Sequence, residues 1–278
     1  MRLGAPLLVV PSDPDEWIAQ LRSRGYTAAV FPADHIPDEA TADAYARAAR
    51  EADIAIAEVG AWSNPLSDDE SERKAALEKC KSRLALADRV GALCCVNIAG
   101  SRGEKWDGPD PRNFTEETFE MIVETVREII DDVKPVRTFY TLEPMPWMYP
   151  DSAESYLQLI RAIDRSQFAV HYDPVNMIAS PRHYYRNAEL TREFVEQLGP
   201  YIKGVHVKDI QLAQHLTVHL QECRPGLGEF DLATLLRCLW ELDPDMCLIM
   251  EHLRTEEDYA LADQHIRTVA REVGVEIR

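Results

Sequence analysis

Eight short apolar or β-branched runs, each followed by a segment of helical length, constrain this chain more than any other feature. They are "PLLVV" (6–10), "TAAVF" (27–31), "DIAIAEV" (53–59), "ALCCVNIA" (92–99), "VRTFYTLE" (136–143), "QFAVHYD" (167–173), "IKGVHV" (202–207) and "MCLIME" (246–251). Such alternation is the signature of βα units and a parallel sheet. The intervening segments carry helix punctuation. "PSDPDEWIAQLRSRG" offers Ser12 or Asp13 ahead of Pro14, and "SDDESERKAALEKCKSRLALADRVG" opens acidic and closes on Gly91. Acids in a first turn and a glycine just past the last suit the helix dipole and its C-cap. "DSAESYLQLIRAID" follows the same rule, and "EEDYALADQHIRTVAREV" supplies an eighth helix. Eight such units predict an α/β fold, a (β/α)₈ barrel in a single domain over residues 1–278. An open doubly wound sheet would want G-x-G-x-x-G after the first strand, and "VVPSDPDEW" has no glycine.

Composition narrows the function classes. With 46% hydrophobic and 28% charged residues the chain reads as folded and water-borne. No apolar run approaches the roughly 18 residues that span a bilayer, and the N-terminus reads as a first strand and not a signal. The six cysteines (Cys80, Cys94, Cys95, Cys223, Cys238, Cys247) show no C-x-x-C spacing, so a reducing cytoplasm is expected and a thiolate metal site is not. A net charge of −18 repels polyphosphates, which disfavours a nucleic-acid partner. No membrane partner is expected either.

The last four runs carry Glu143, Asp173, His206 and Glu251 at their C-terminal ends, His206 one residue before the last. In a barrel all C-terminal strand ends converge on one mouth, so these four would share a cavity a few ångströms across. A lone acid at a strand end is more often a helix cap or a solvated loop residue. Three carboxylates crowded together, however, repel one another unless a cation neutralises them. Three carboxylates and one imidazole make an oxygen-rich site suited to one divalent ion, with Mn²⁺ the first choice and Mg²⁺, Co²⁺ or Zn²⁺ also suited.

The motifs "TLEPMPW", "VHYDPVNM", "KGVHVKD" and "LIMEH", in that order, resemble the sugar phosphate isomerase/epimerase superfamily. These are the xylose-isomerase-like TIM barrels, which include ketose 3-epimerases, inosose dehydratases and apurinic endonucleases. The resemblance covers nearly the whole chain and extends to "EVGAWSNP" and "CCVNIAGSRG". It implies that Glu143, Asp173, His206 and Glu251 hold one ion, and that Glu143 and Glu251 also move protons, acting through a metal-stabilised enediolate. Two departures stand out. Many epimerases have a histidine where this chain has Asn176, and the endonuclease branch needs further histidines there and at Asn97.

Other candidates for substrate contact are weaker. His171 and Lys208 alternate with Asp173 and His206 along their strands, so each points to the same side as its neighbour. His171 has an equal claim as an ordinary interior histidine, and Lys208 needs a partner such as Asp209 or a cavity carboxylate. Glu58 and Asn97 end their strands, where they would reach sugar hydroxyls. Trp106, like Trp62 and Trp147, follows a strand end and would stack on a sugar face, although loop tryptophans more often only pack. Arg224 in "CRPGLGEFD" matches an arginine that contacts a substrate oxygen or phosphate in the resembling family, and Arg102 is a second anion candidate.

The expectation is a metal-dependent isomerase or epimerase of a sugar, sugar phosphate or cyclic polyol ketone. A lyase or dehydratase on a keto-sugar or keto-inositol, including cleavage of an oxidised C-glycoside, is the alternative. A non-catalytic sugar-binding barrel and a metal-dependent nuclease follow. A homodimer or homotetramer is implied by the family alone.

Overall fold

The computed structural model of the protein describes residues 1–36 and 38–278. Its strands are β1 (Arg2–Gly4), β2 (Ala28–Val30), β3 (Ala55–Gly60), β4 (Cys94–Asn97), β5 (Phe139–Leu142), β6 (Phe168–Tyr172), β7 (Ile202–Val207), β8 (Asp209–Leu212), β9 (Leu220–Cys223) and β10 (Cys247–Met250). All except β8 and β9 form one parallel sheet in the order β1-β10-β7-β6-β5-β4-β3-β2. The ring closes where Thr27 N–H donates to Leu3 O at 3.0 Å. Glycine is required at that seam, because a Cβ on Gly4 would lie 2.0 Å from the Ala28 carbonyl oxygen. This is the expected (β/α)₈ barrel.

The helices are α1 (Pro14–Ser23), α2 (Glu39–Glu51), α3 (Glu70–Val90), α4 (Glu116–Val133), α5 (Ala153–Ile163), α6 (Pro181–Tyr185), α7 (Asn187–Leu198), α8 (Leu232–Leu242) and α9 (Glu256–Glu272). The three segments read above as punctuated helices, α1, α3 and α5, carry the expected signals. Asp13 accepts from the Asp15 and Glu16 amides, Ser152 and Ser155 form a reciprocal capping box, and Gly91 ends α3 at φ 73°. All helices but the short α6, which buries only Tyr184, turn an apolar stripe inward, and α5 also positions the barrel mouth. The Tyr156 hydroxyl is 2.6 Å from Leu142 O and 3.0 Å from His171 O, tying together the ends of β5 and β6. Among the described residues no helix is long and apolar enough to cross a membrane.

Two elements differ from expectation. The first strand is Arg2–Gly4, not "PLLVV" (6–10), which forms a loop at the mouth with Leu8 and Val9 exposed. Hydrophobicity marked the wrong segment because the strand itself, "RLG", carries a single large apolar side chain. The second difference is the antiparallel hairpin of β8 and β9, which extends β7 outward; its register runs from Asp209 opposite Cys223 to Leu212 opposite Leu220.

Candidate metal centre

Four consecutive strands of the ring, β5, β6, β7 and β10, deliver Glu143, Asp173, His206 and Glu251 to the mouth. One ligand atom from each lies within 4.8 Å of the others. The two glutamates stand at the ends of this arc, with Asp173 and His206 between them. His206 Nδ1 is 3.0 Å from Glu143 Oε1 and 3.0 Å from Glu251 Oε1. Asp173 Oδ1 accepts the Val175 and Asn176 amides at 2.9 and 3.1 Å, which turns Oδ2 toward the cluster.

The donor set fits a divalent cation on two counts. Carboxylate oxygens and one imidazole nitrogen are hard-to-borderline ligands. Asp173 Oδ2 and Glu251 Oε1 are also buried without accepting a hydrogen bond, although Lys208 and His206 stand beside them at ion-pair distance. Both oxygens thus face positive charge from one side and converge on the other, where a cation at the centre would meet them together.

Electrostatics separates the two glutamates. Burial raises the Glu143 pKa, and the Glu251 charge raises it further. Burial also opposes ionisation of Glu251, but His206 and Lys208 outweigh it and hold Glu251 well below the usual carboxylate range. Burial works against the His206 imidazolium, yet Glu251, Glu143 and Glu58 around it push its pKa well up.

The other predicted residues fall into three groups. Asn176 and Lys208 join the cluster: Asn176 Nδ2 donates to Glu143 Oε1 at 3.1 Å, and Lys208 Nζ lies 2.8 Å from Asp173 Oδ2 and closer still to Glu251. Lys208 therefore pairs with cavity carboxylates and not with Asp209, which instead accepts four backbone amides. Glu58 and His171 are buried beside the cluster and joined at 2.9 Å, with Glu58 also touching the floor of the cavity. Asn97 and Arg224 face elsewhere. The Asn97 amide is spent on Ser63 and Cys80, and Arg224 turns toward Pro225 O and Asp258. Arg102 pairs with Asp68.

Above the cluster opens a cavity of about 640 Å³, lined by Trp62, Trp106 and Trp147 among others. Its walls are pinned, since Trp147 Nε1 donates to Asp107 O at 2.7 Å. Sequence reasoning missed Glu222 and His252, which also line the cavity. Glu222 comes from β9, and His252 Nδ1 lies 3.1 Å from its carboxylate. His252 has a left-handed φ of 59°, which is uncommon for a side chain of its size. No sequence signal marked the hairpin that carries Glu222.

Among curated proteins none matches this sequence significantly. Solved structures do. The D-psicose 3-epimerase of Clostridium cellulolyticum H10 is 15% identical with a TM-score of 0.71, over 98% of this chain and 99% of that one. The probable 3-DHS dehydratase AsbF of Bacillus anthracis is 14% identical with a TM-score of 0.72, over 97% and 99%. The 3-keto-D-glucoside 4-epimerase YcjR of E. coli is 15% identical with a TM-score of 0.68, over 96% and 99%. At these identities the likeness is one of fold. A family profile is more specific: the xylose isomerase-like TIM barrel profile matches residues 18–271, and the chain belongs to that family.

Proposed function

We propose that the protein is a divalent-cation-dependent isomerase or epimerase of a sugar or cyclic polyol ketone, working by proton removal beside the carbonyl. The observation that carries this reading is the arc of Glu143, Asp173, His206 and Glu251 within 4.8 Å, with a glutamate at each end. A divalent ion held by these four residues supplies Lewis acidity that polarises a carbonyl and lowers the barrier to losing the neighbouring proton. Glu143 and Glu251 approach the bound substrate from the two ends of the arc. One of them takes the proton, and the same or the other returns it. Return from the opposite side inverts the carbon, whereas return to the former carbonyl carbon, with the hydroxyl proton passing from one oxygen to the other, moves the carbonyl. Asn176 orients Glu143, and the Lys208 ammonium offsets the negative charge of the cluster. Trp106 and Trp147 give a sugar's apolar face something to stack on and narrow the access of water.

The neighbours named as D-psicose 3-epimerase and 3-keto-D-glucoside 4-epimerase share this fold and support a sugar-type substrate. The test is solvent exchange. Protein loaded with MnCl₂ is incubated in deuterium oxide with a panel of ketoses and keto-polyols, and products are read by NMR. The expected result is one deuterium beside the carbonyl with no loss of water. Exchange accompanied by water loss would make the enzyme a dehydratase. Absence of exchange with every ketone would leave a non-catalytic barrel.

A further inference from the structure

Barrel interiors are normally filled by layers of branched apolar side chains. Just below the mouth this barrel holds Glu58 from β3, His171 from β6 and His206 from β7, which are 4%, 0% and 1% exposed. A single carboxylate joins the two rings. Glu58 Oε2 is 2.9 Å from His171 Nε2 and 3.3 Å from His206 Nε2, while Oε1 is 3.4 Å from His206 Nε2. The rings stand 4.1 Å apart at 64°. Beside His171, its register partner on β7 is Gly204, and a Cβ there would lie 2.4 Å from His171 Cδ2 and 2.7 Å from its Nε2. The fold leaves space for this polar layer, and ring closure gives no reason for it. Buried ionisable groups are costly unless paired, and here they are paired with one another.

The reason lies on the other edge of His206. Its Nε2 faces Glu58, and its Nδ1 faces Glu143 and Glu251. Where a cation replaces the proton that Nδ1 shares with these carboxylates, an imidazole whose Nε2–H is donated to a carboxylate presents its Nδ1 lone pair with the ring fixed, which is how ligating histidines are commonly oriented. We propose that Glu58, itself held by His171, is the positioning residue that fixes His206 with Nδ1 toward Glu143, Asp173 and Glu251. Glu58 and His171 thus act on the cation through His206 and not on the substrate.

This inference rests on the cation reading of the arc, and the experiment separates the two. Metal-stripped full-length protein is titrated with MnCl₂ by calorimetry, and the bound ion is examined by pulsed EPR for coupling to imidazole nitrogen. Wild type should bind one Mn²⁺ per chain with nitrogen coupling. Glu58→Leu should weaken binding roughly 10- to 100-fold and alter that coupling. Glu58→Gln keeps an acceptor oxygen and should recover part of the loss, a graded response that mere packing would not give. His171→Gln should show a smaller loss than Glu58→Leu. If Glu58→Leu does not fold, the two glutamine variants decide alone, and wild-type affinity in both overturns the proposal. A folded Glu58→Leu with unchanged affinity and coupling also overturns it. So does a wild type that binds two ions, one of them lost in Glu58→Leu, since Glu58 would then be a ligand. A wild type that takes up no Mn²⁺, Mg²⁺, Co²⁺ or Zn²⁺ removes the cation reading itself.

Discussion

Glu143 and Glu251 are the same side chain in unlike surroundings. Burial and a neighbouring carboxylate raise one, whereas an imidazole and an ammonium depress the other against the same burial. Replacing either with glutamine keeps an oxygen at the cluster but removes the proton carrier. Glu143→Gln and Glu251→Gln should each slow deuterium uptake about 10²- to 10⁴-fold at saturating Mn²⁺; wild-type exchange in either variant would excuse that residue from proton transfer. These side chains were legible in the sequence because they end apolar runs, so strand position alone fixes where they go. Residues whose direction depends on a loop were not legible. Asn97 also ends a strand, yet its amide holds the Ser63 backbone from both sides. His252 directly follows Glu251, but its place at the mouth depends on a left-handed backbone that no pattern announces.

At the scale of elements, a strand was visible in proportion to its apolar content. Seven of the eight runs overlap their strands. The exception, β1, is held by register with β10 and by the close approach at Gly4 and not by its own hydrophobicity. The β8–β9 hairpin was hidden because its side chains are half exposed and its stability is local. What holds its base is Asp209: the carboxylate accepts the Ile210 and Phe230 amides at 2.8 and 3.0 Å on one oxygen, and those of Gly226 and Gly228 at 2.9 Å on the other. Gly228 leaves the room, since a Cβ there would lie 2.2 Å from Asp209 Oδ1. Asp209→Ala removes the acceptor from all four amides, of which those of Ile210 and Phe230 are buried, and about 1–3 kcal/mol of stability should go with it. Asp209→Asn keeps one acceptor oxygen and should cost less. Thermal melts of the three proteins check the order, and equal midpoints would show that the hairpin base is held by packing.

Across the whole molecule, β1 is the strand on which the ring closes, between β10 and β2, and at its bottom end charge adds to the ladder. Arg2 opens β1 with its side chain 10% exposed. Its guanidinium reaches Asp245 at 3.0 Å, ahead of β10, and Asp53 at 2.9 Å, ahead of β3, and donates to the Asp53 carbonyl at 2.6 Å. One cation thus spans three elements at the seam of a chain whose net charge is −18. Arg2→Leu keeps some packing but leaves that carbonyl without its donor, which predicts a loss of about 1–3 kcal/mol near neutral pH. The loss should depend on pH in a fixed sense. The Arg2 guanidinium holds the Asp53 carboxyl below the ordinary aspartate value of 3.8. A depressed carboxyl contributes stability that is complete above the unfolded value and disappears as pH falls through the folded one. The gap in melting temperature between wild type and Arg2→Leu should therefore hold steady from pH 7 to 5 and shrink below about pH 4. A gap that stayed constant into acid would assign the role of Arg2 to its backbone contact alone.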